Sequence, residues 1–201
     1  MKKSNKKGFT IVELVIVIAV IAILAAVMIP TFGGVIEKAN KSAVQQAATS
    51  LYKEAYALDL ADGNLDGKDG EDDIYKVGDS FVVYDVEYDE YGKANISFTY
   101  VDENKDYTST LKDNAWNTEK STDADKAAVL EAKVNYAYEK AYDLANADET
   151  IAADEEGTAE GITFKFGANA TTCEITAGAE APTGYEFKFN NGVWTVEKVT
   201  P

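Results

Sequence analysis

From Phe9 to Ile29 the chain reads FTIVELVIVIAVIAILAAVMI, 21 residues interrupted only by Thr10 and Glu13. As a helix rising about 1.5 Å per residue, the stretch spans about 30 Å, the thickness of a bilayer's hydrocarbon core. It is apolar nearly all round, so it must be buried in lipid or among other helices. Lys2, Lys3, Lys6 and Lys7 precede the run and almost all of the acid follows it. That asymmetry predicts a cytoplasmic N-terminus and an exported body. Two ordinary readings fall short. A secretory signal has a shorter apolar core ending in a small-x-small cleavage site. A plain membrane anchor accounts for the length and gives no reason for Glu13, because a lone carboxylate in lipid costs several kcal/mol unless neutralised or paired.

Gly8-Phe9-Thr10-Ile11-Val12-Glu13, at the head of the run, resembles the processing site of type IV pilins and other prepilin-like proteins. By that resemblance residues 1–8 are a basic leader, and a membrane peptidase cuts between Gly8 and Phe9 on the cytoplasmic side. The new terminus at Phe9 is then methylated. Glu13 matches the family's acid, fifth in the mature chain, and Pro30 matches a proline common near the end of the apolar helix. The likeness covers about the first fifty residues and beyond them rests on architecture. It implies a structural subunit, held in the cytoplasmic membrane as a precursor and later part of an extracellular pilus on the cell surface. Its partners would be further copies in a helical filament, the prepilin peptidase, the pilus assembly machinery and the membrane. Minor pilin, pseudopilin of a secretion or DNA-uptake machine, and membrane-anchored adhesion module are the alternatives.

The physics of a buried acid agrees with that account. Cleavage creates an amine at Phe9, four residues before Glu13, and in a filament the partner amine can come from a neighbouring subunit. Pairing across subunits would favour assembly and set the axial register of one helix against the next.

After the run, Pro30 removes an amide donor and Gly33-Gly34 adds about 1 kcal/mol of helix cost per glycine, which predicts a kink or local melting. Val35, Ala39, Ala43, Ala47, Leu51 and Ala55 then recur every four residues, with Ile36, Val44, Tyr52 and Tyr56 alongside. This is the apolar stripe of an amphipathic helix over residues 35–61. In the loop that follows, Asp62, Asn64, Asp66 and Gly67 fit the start of a calcium loop, with Asp73 where a bidentate acid would fall. Asp replaces the usual Glu there, and Asp69 stands where such loops carry an apolar anchor. A calcium site and a solvated acidic loop both remain open.

The rest of the chain predicts an α+β fold, with the long N-terminal helix packed on antiparallel sheet. Val82, Tyr84, Val86 and Tyr88 alternate with acids, and after a turn at residues 89–92 come Ile96, Phe98 and Tyr100, a hairpin with one buried face. A third strand is expected over 107–111, and a polar connection from Asp113. A second helix is expected over 125–147, then strands over 162–166, 171–176, 185–189 and 193–199, the last two joined by the tight-turn pair Asn191-Gly192. YKEAYALDLAD (52–62) and YEKAYDLANAD (138–148) match at six of eleven positions at an offset of 86 residues. The order helix-then-sheet also repeats, which fits a duplicated head; a single head with a second helix and a shared alanine-tyrosine bias is the other reading. The expected organisation is thus leader 1–8, transmembrane helix 9–29, amphipathic helix and first head 30–120, and a second helix-plus-sheet module 121–201.

Composition narrows the function. The chain has 201 residues with 19 lysines, no arginine, 35 acids and no histidine, a formal net charge of −16. Nucleic acid is a poor partner for such a surface. The absence of histidine removes the commonest general base and transition-metal ligand, and nothing places two carboxylates about a cleft, so an enzyme is not expected. Cys173, the single cysteine, excludes an intramolecular disulfide and any multi-cysteine zinc site. It alternates in phase with Ile175 and reads as a buried strand residue. The resemblance therefore tilts towards the pilins of Gram-positive bacteria, since many Gram-negative pilins close their C-terminal region with a disulfide.

Overall fold

A computed structural model describes residues 8–61, 63–69, 72–145, 151 and 153–200. The chain divides into two compact units, residues 1–40 and 41–201. A single helix, α1 (Ile11–Asp59), belongs to both. It stays helical through Pro30, Gly33 and Gly34, so the two expected helices are one element. The proline and two glycines together cost a helix about 5 kcal/mol, a penalty set against the long uninterrupted run on either side, whose second half is rich in Ala, Glu, Gln, Lys and Leu and propagates from one nucleus.

Among the described residues of the first unit, α1 packs against no other element. Every large apolar side chain from Phe9 to Ile36 is at least half exposed, from 50% at Val20 to 88% at Phe9. The second unit has two hydrophobic cores. The first lies between the end of α1 and a five-stranded antiparallel sheet of β3 (Lys76–Val77), β4 (Ser80–Tyr88), β5 (Ala94–Asp102), β6 (Tyr107–Lys112) and β7 (Ala115–Lys120), neighbours in chain order. Ala48 and Ala55 on the helix are fully buried against Val82, Tyr84, Phe98 and Leu111, and Tyr52 meets Phe98 and Trp116 edge to face at 5.8 and 5.9 Å. Alanines spaced seven apart let the helix lie close to the sheet, while the aromatic rings fill the remaining volume.

The second core lies under α2 (Asp123–Ala145). Around it are a three-stranded sheet, ordered β10 (Cys173–Ala177), β9 (Ile162–Phe166), β8 (Glu155–Ala159), and a hairpin of β11 (Tyr185–Asn190) and β12 (Val193–Lys198). Asn191 and Gly192 join that hairpin with φ of 49° and 88°, the two positive angles a type I′ turn requires. Tyr138 meets Phe164, Phe166 and Phe189. Two side chains of α2 hold β12 as another strand would. The Asn135 amide donates to the Trp194 carbonyl at 2.9 Å and accepts from the Trp194 N–H at 2.8 Å, and Glu131 accepts from the Val196 N–H at 2.7 Å.

Three elements differ from the expected reading. The segment expected to be a polar connection from Asp113 contains β7, whose Trp116 faces the first core. Strand β8, EEGTA, carries no apolar alternation; Gly157 in its centre admits α2, since a Cβ there would stand 3.0 Å from the Ala141 carbonyl oxygen and 2.9 Å from the Phe166 ring. The residues after α1 add a small ladder of β1 (Lys68–Asp69) and β2 (Asp72–Asp73).

Candidate assembly site

The start of α1 is fixed by its own sequence. Thr10 is the residue before the first helical turn, and its carbonyl accepts the first helical bond, from the Leu14 N–H at 3.2 Å. Its hydroxyl accepts from the Glu13 N–H at 3.3 Å. In return one carboxylate oxygen of Glu13 accepts from the Thr10 N–H at 2.8 Å and from the Thr10 hydroxyl at 2.6 Å. This is a reciprocal capping box, which satisfies backbone donors left over at a helix N-terminus and sets a negative charge near its positive end. Glu13 therefore has local partners in the isolated chain, directly after the Gly8-Phe9 bond. Pro30 lies about five turns further along α1 and does not join them.

The same box recurs at α2. Thr122 accepts from the Asp125 N–H at 3.2 Å, and Asp125 accepts from the Thr122 N–H and hydroxyl, both at 2.8 Å. A threonine followed three residues later by an acid starts both helices, a signal present in the sequence and passed over there. The box is thus a general way this chain begins a helix. What distinguishes the box at Thr10 is its setting, at the head of a bilayer-length apolar run whose large side chains are at least half exposed among the described residues.

The acidic loop after α1 is organised by a residue outside the expected calcium set. Asp59, fully buried at the end of α1, accepts from the backbone N–H groups of Asp66 and Gly67, both at 2.9 Å, and of Lys68 at 3.3 Å. Its other oxygen accepts from the Tyr84 hydroxyl at 2.6 Å. Burial and this carboxylate push the Tyr84 phenol well above its ordinary value, since ionising it would set two negative charges in contact. Asp62 lies outside the described residues. Asn64 and Asp66 have exposed side chains, while Asp73 accepts from the Tyr75 hydroxyl at 3.0 Å and lies 3.7 Å from the Lys68 amine. Among the described residues no group of three or more His, Cys, Asp or Glu side chains gathers as a metal site requires.

Cys173 is buried, and desolvation pushes its thiol up to about 12, so it is held as the unreactive protonated form.

Residues 3–29 match a known family description, the prokaryotic N-terminal methylation motif. A type IV major fimbrial protein FimA of Dichelobacter nodosus is 43% identical over 70 residues, covering 35% of this chain and 42% of the relative. Another FimA of that organism is 37% identical over 98 residues, 49% of this chain and 56% of the relative. The type IV wide pilus major component PilA4 of Thermus thermophilus is 47% identical over 57 residues, 27% of this chain and 44% of the relative. The chain thus spans about half the length of the relatives it matches. No solved structure matches it.

Proposed function

We propose that the chain is a type IV pilin, a structural subunit cut between Gly8 and Phe9, methylated at Phe9 and assembled into a filament through α1. One observation carries this reading. Behind the Gly8-Phe9 bond and Glu13 stands a helix whose large apolar side chains are all uncovered over the length of a bilayer, so its stable states are lipid and the company of like helices. The likeness to type IV major fimbrial proteins supports the reading, and the relatives' own description as major components favours a major over a minor subunit. The precursor resides in the cytoplasmic membrane with the leader inside. Prepilin peptidase and the assembly machinery are its partners there, and identical copies are its partners in the filament. Phe9 supplies the amine that neutralises Glu13 of a neighbouring copy. The subunit performs no covalent chemistry itself.

The test is N-terminal sequencing and intact mass on protein sheared from the cell surface. A chain beginning at methylated Phe9 and recovered in filaments is expected. An uncut chain that stays with the membrane would make this an anchored surface module instead. A Gly8→Leu variant should accumulate as uncut precursor, because the cut depends on the small residue at that position; complete processing of this variant would overturn the leader assignment.

A further inference from the structure

Two surfaces of the second unit complement each other in charge. The first is a stripe on α2, where Lys133, Tyr136, Lys140 and Leu144 follow at spacings of three and four and share one helix face. The Lys133 amine lies 5.7 Å from the centre of the Phe81 ring and the Lys140 amine 5.6 Å from that of Tyr136; the two rings meet edge to face at 5.9 Å. Lys76 stands over both rings and is neutralised by Glu160 at 2.6 Å. Among the described residues no carboxylate lies within ion-pair distance of Lys133 or Lys140. Leu144 is 70% exposed.

The second surface is a trough of about 390 Å³ on the outer face of the first sheet, where β4, β5 and β6 leave Asp85, Glu87, Asn95, Ser97, Thr99 and Thr110 beside one another. Lys112 at its rim is its cation. Pairing of Asp85 with Ser97 and of Glu87 with Asn95 sets both acids on the face opposite the first core. Phe81, under α2, occupies the same face of β4. Six residues separate it from Glu87, about 20 Å of strand. The helix covers one end of this face and leaves the other open to water.

Charge gives the two surfaces their relation. Loss of the leader removes four lysines and takes the formal charge from −16 to −20. Repulsion between neighbouring copies of so acidic a chain falls where cations free of their own chain's carboxylates lie between them. Lys68, Lys76, Lys105, Lys120, Lys126, Lys165 and Lys188 are already engaged with carboxylates of their own chain. Among the described residues Lys38, Lys53, Lys93, Lys112, Lys133, Lys140 and Lys198 show no such pair, and of these Lys133 and Lys140 share one helix face and rest against aromatic rings.

We infer that the α2 stripe of one copy docks in the β4–β6 trough of the next. The inference rests on the subunit reading above and names the faces that meet. Because stripe and trough are different surfaces, each docked copy still presents one of each, and the contact repeats from copy to copy, as a filament requires. The ring-backed lysines meet Asp85 and Glu87, and Leu144 covers the threonine side of the trough.

The test uses full-length chains in the native host. Filaments containing equal amounts of ¹⁴N- and ¹⁵N-labelled subunits are treated with a carbodiimide, which joins a lysine amine to a carboxylate in direct contact, and digested for mass spectrometry. Peptides joining Lys133 or Lys140 to Asp85 or Glu87 with mixed labels are expected. Reversing both lysines (Lys133→Glu with Lys140→Glu) or both acids (Asp85→Lys with Glu87→Lys) should each lower filament recovery about tenfold at low salt. Combining the four changes should restore it. Filaments lacking mixed-label links at these residues, or unaffected by either reversal, overturn this inference and leave the subunit reading standing. A processed wild-type chain that forms no filaments overturns both.

Discussion

Glu13 caps a helix, and a single substitution separates that task from the one proposed for it in a filament. It caps α1 through Thr10, a task that any side-chain oxygen at that position performs. In the proposed filament it also carries the charge that meets a neighbouring amine, a task an amide does poorly. Glu13→Gln keeps the acceptor and loses the charge. We expect Glu13→Gln and Glu13→Ala to be processed normally and both to fail in assembly, measured as filaments sheared from equal cell mass. Gln assembling like the parent would reduce the residue to its cap. Asp59 offers a contrast, since its carboxylate is enclosed within the fold and holds three amides and a phenol. Asp59→Ala leaves these donors without an acceptor and should cost about 3 kcal/mol, whereas Tyr84→Phe should cost about 1 kcal/mol. Denaturant melts of the two variants would show the order, and equal losses would refute the account.

At the scale of elements, legibility followed periodicity. Strand β9 lies over 162–166 as its alternation predicts, and the Asn191-Gly192 turn falls where only that pair of angles closes a hairpin. Strands β7 and β8 escaped because their evidence is not in their own pattern. Trp116 is the large apolar residue of β7 packed on the first core, and β8 is defined by an absent side chain at Gly157, where a Cβ would stand 3.0 Å from the Ala141 carbonyl oxygen of α2. The Thr-x-x-acid boxes at both helix starts were legible and define the boundaries better than apolar spacing did. The calcium pattern failed to reveal the loop's organiser because Asp59 precedes the motif, as the last residue of α1. Gly157→Val should destabilise the second core by about 2 kcal/mol through overpacking, measured as a lower denaturation midpoint, while Gly184→Val at a turn with open space should be milder and act through backbone strain alone. Equal effects at the two sites would argue against the close approach of α2 and β8.

For the whole molecule, pH acts through groups that the fold holds neutral. Burial pushes the Tyr138 phenol and the Cys173 thiol each up to about 12, from ordinary values of 10.0 and 9.0. A group raised in the folded state favours folding fully below its unfolded value and loses that contribution as pH climbs to the folded one. Stability of the second unit should therefore hold to about pH 9 and decline between about 9 and 12. Thermal melts across that range check the direction. A thiol-specific reagent at neutral pH should label Cys173 only once the chain unfolds; rapid labelling of the native protein would contradict its burial.

The capping box at Thr10 has a consequence for how such a polymer could be taken apart. A subunit resting in lipid already has its Glu13 oxygen occupied, by two donors from its own chain. Joining a filament then trades one set of partners for another and creates no bond from nothing. A neighbouring amine in the proposed filament adds a charge-assisted bond that two neutral donors do not supply, so the gain at each joint is the difference between the two sets and smaller than a free carboxylate would give. Each joint of the proposed filament therefore opens onto a subunit whose Glu13 oxygen is already satisfied by its own chain.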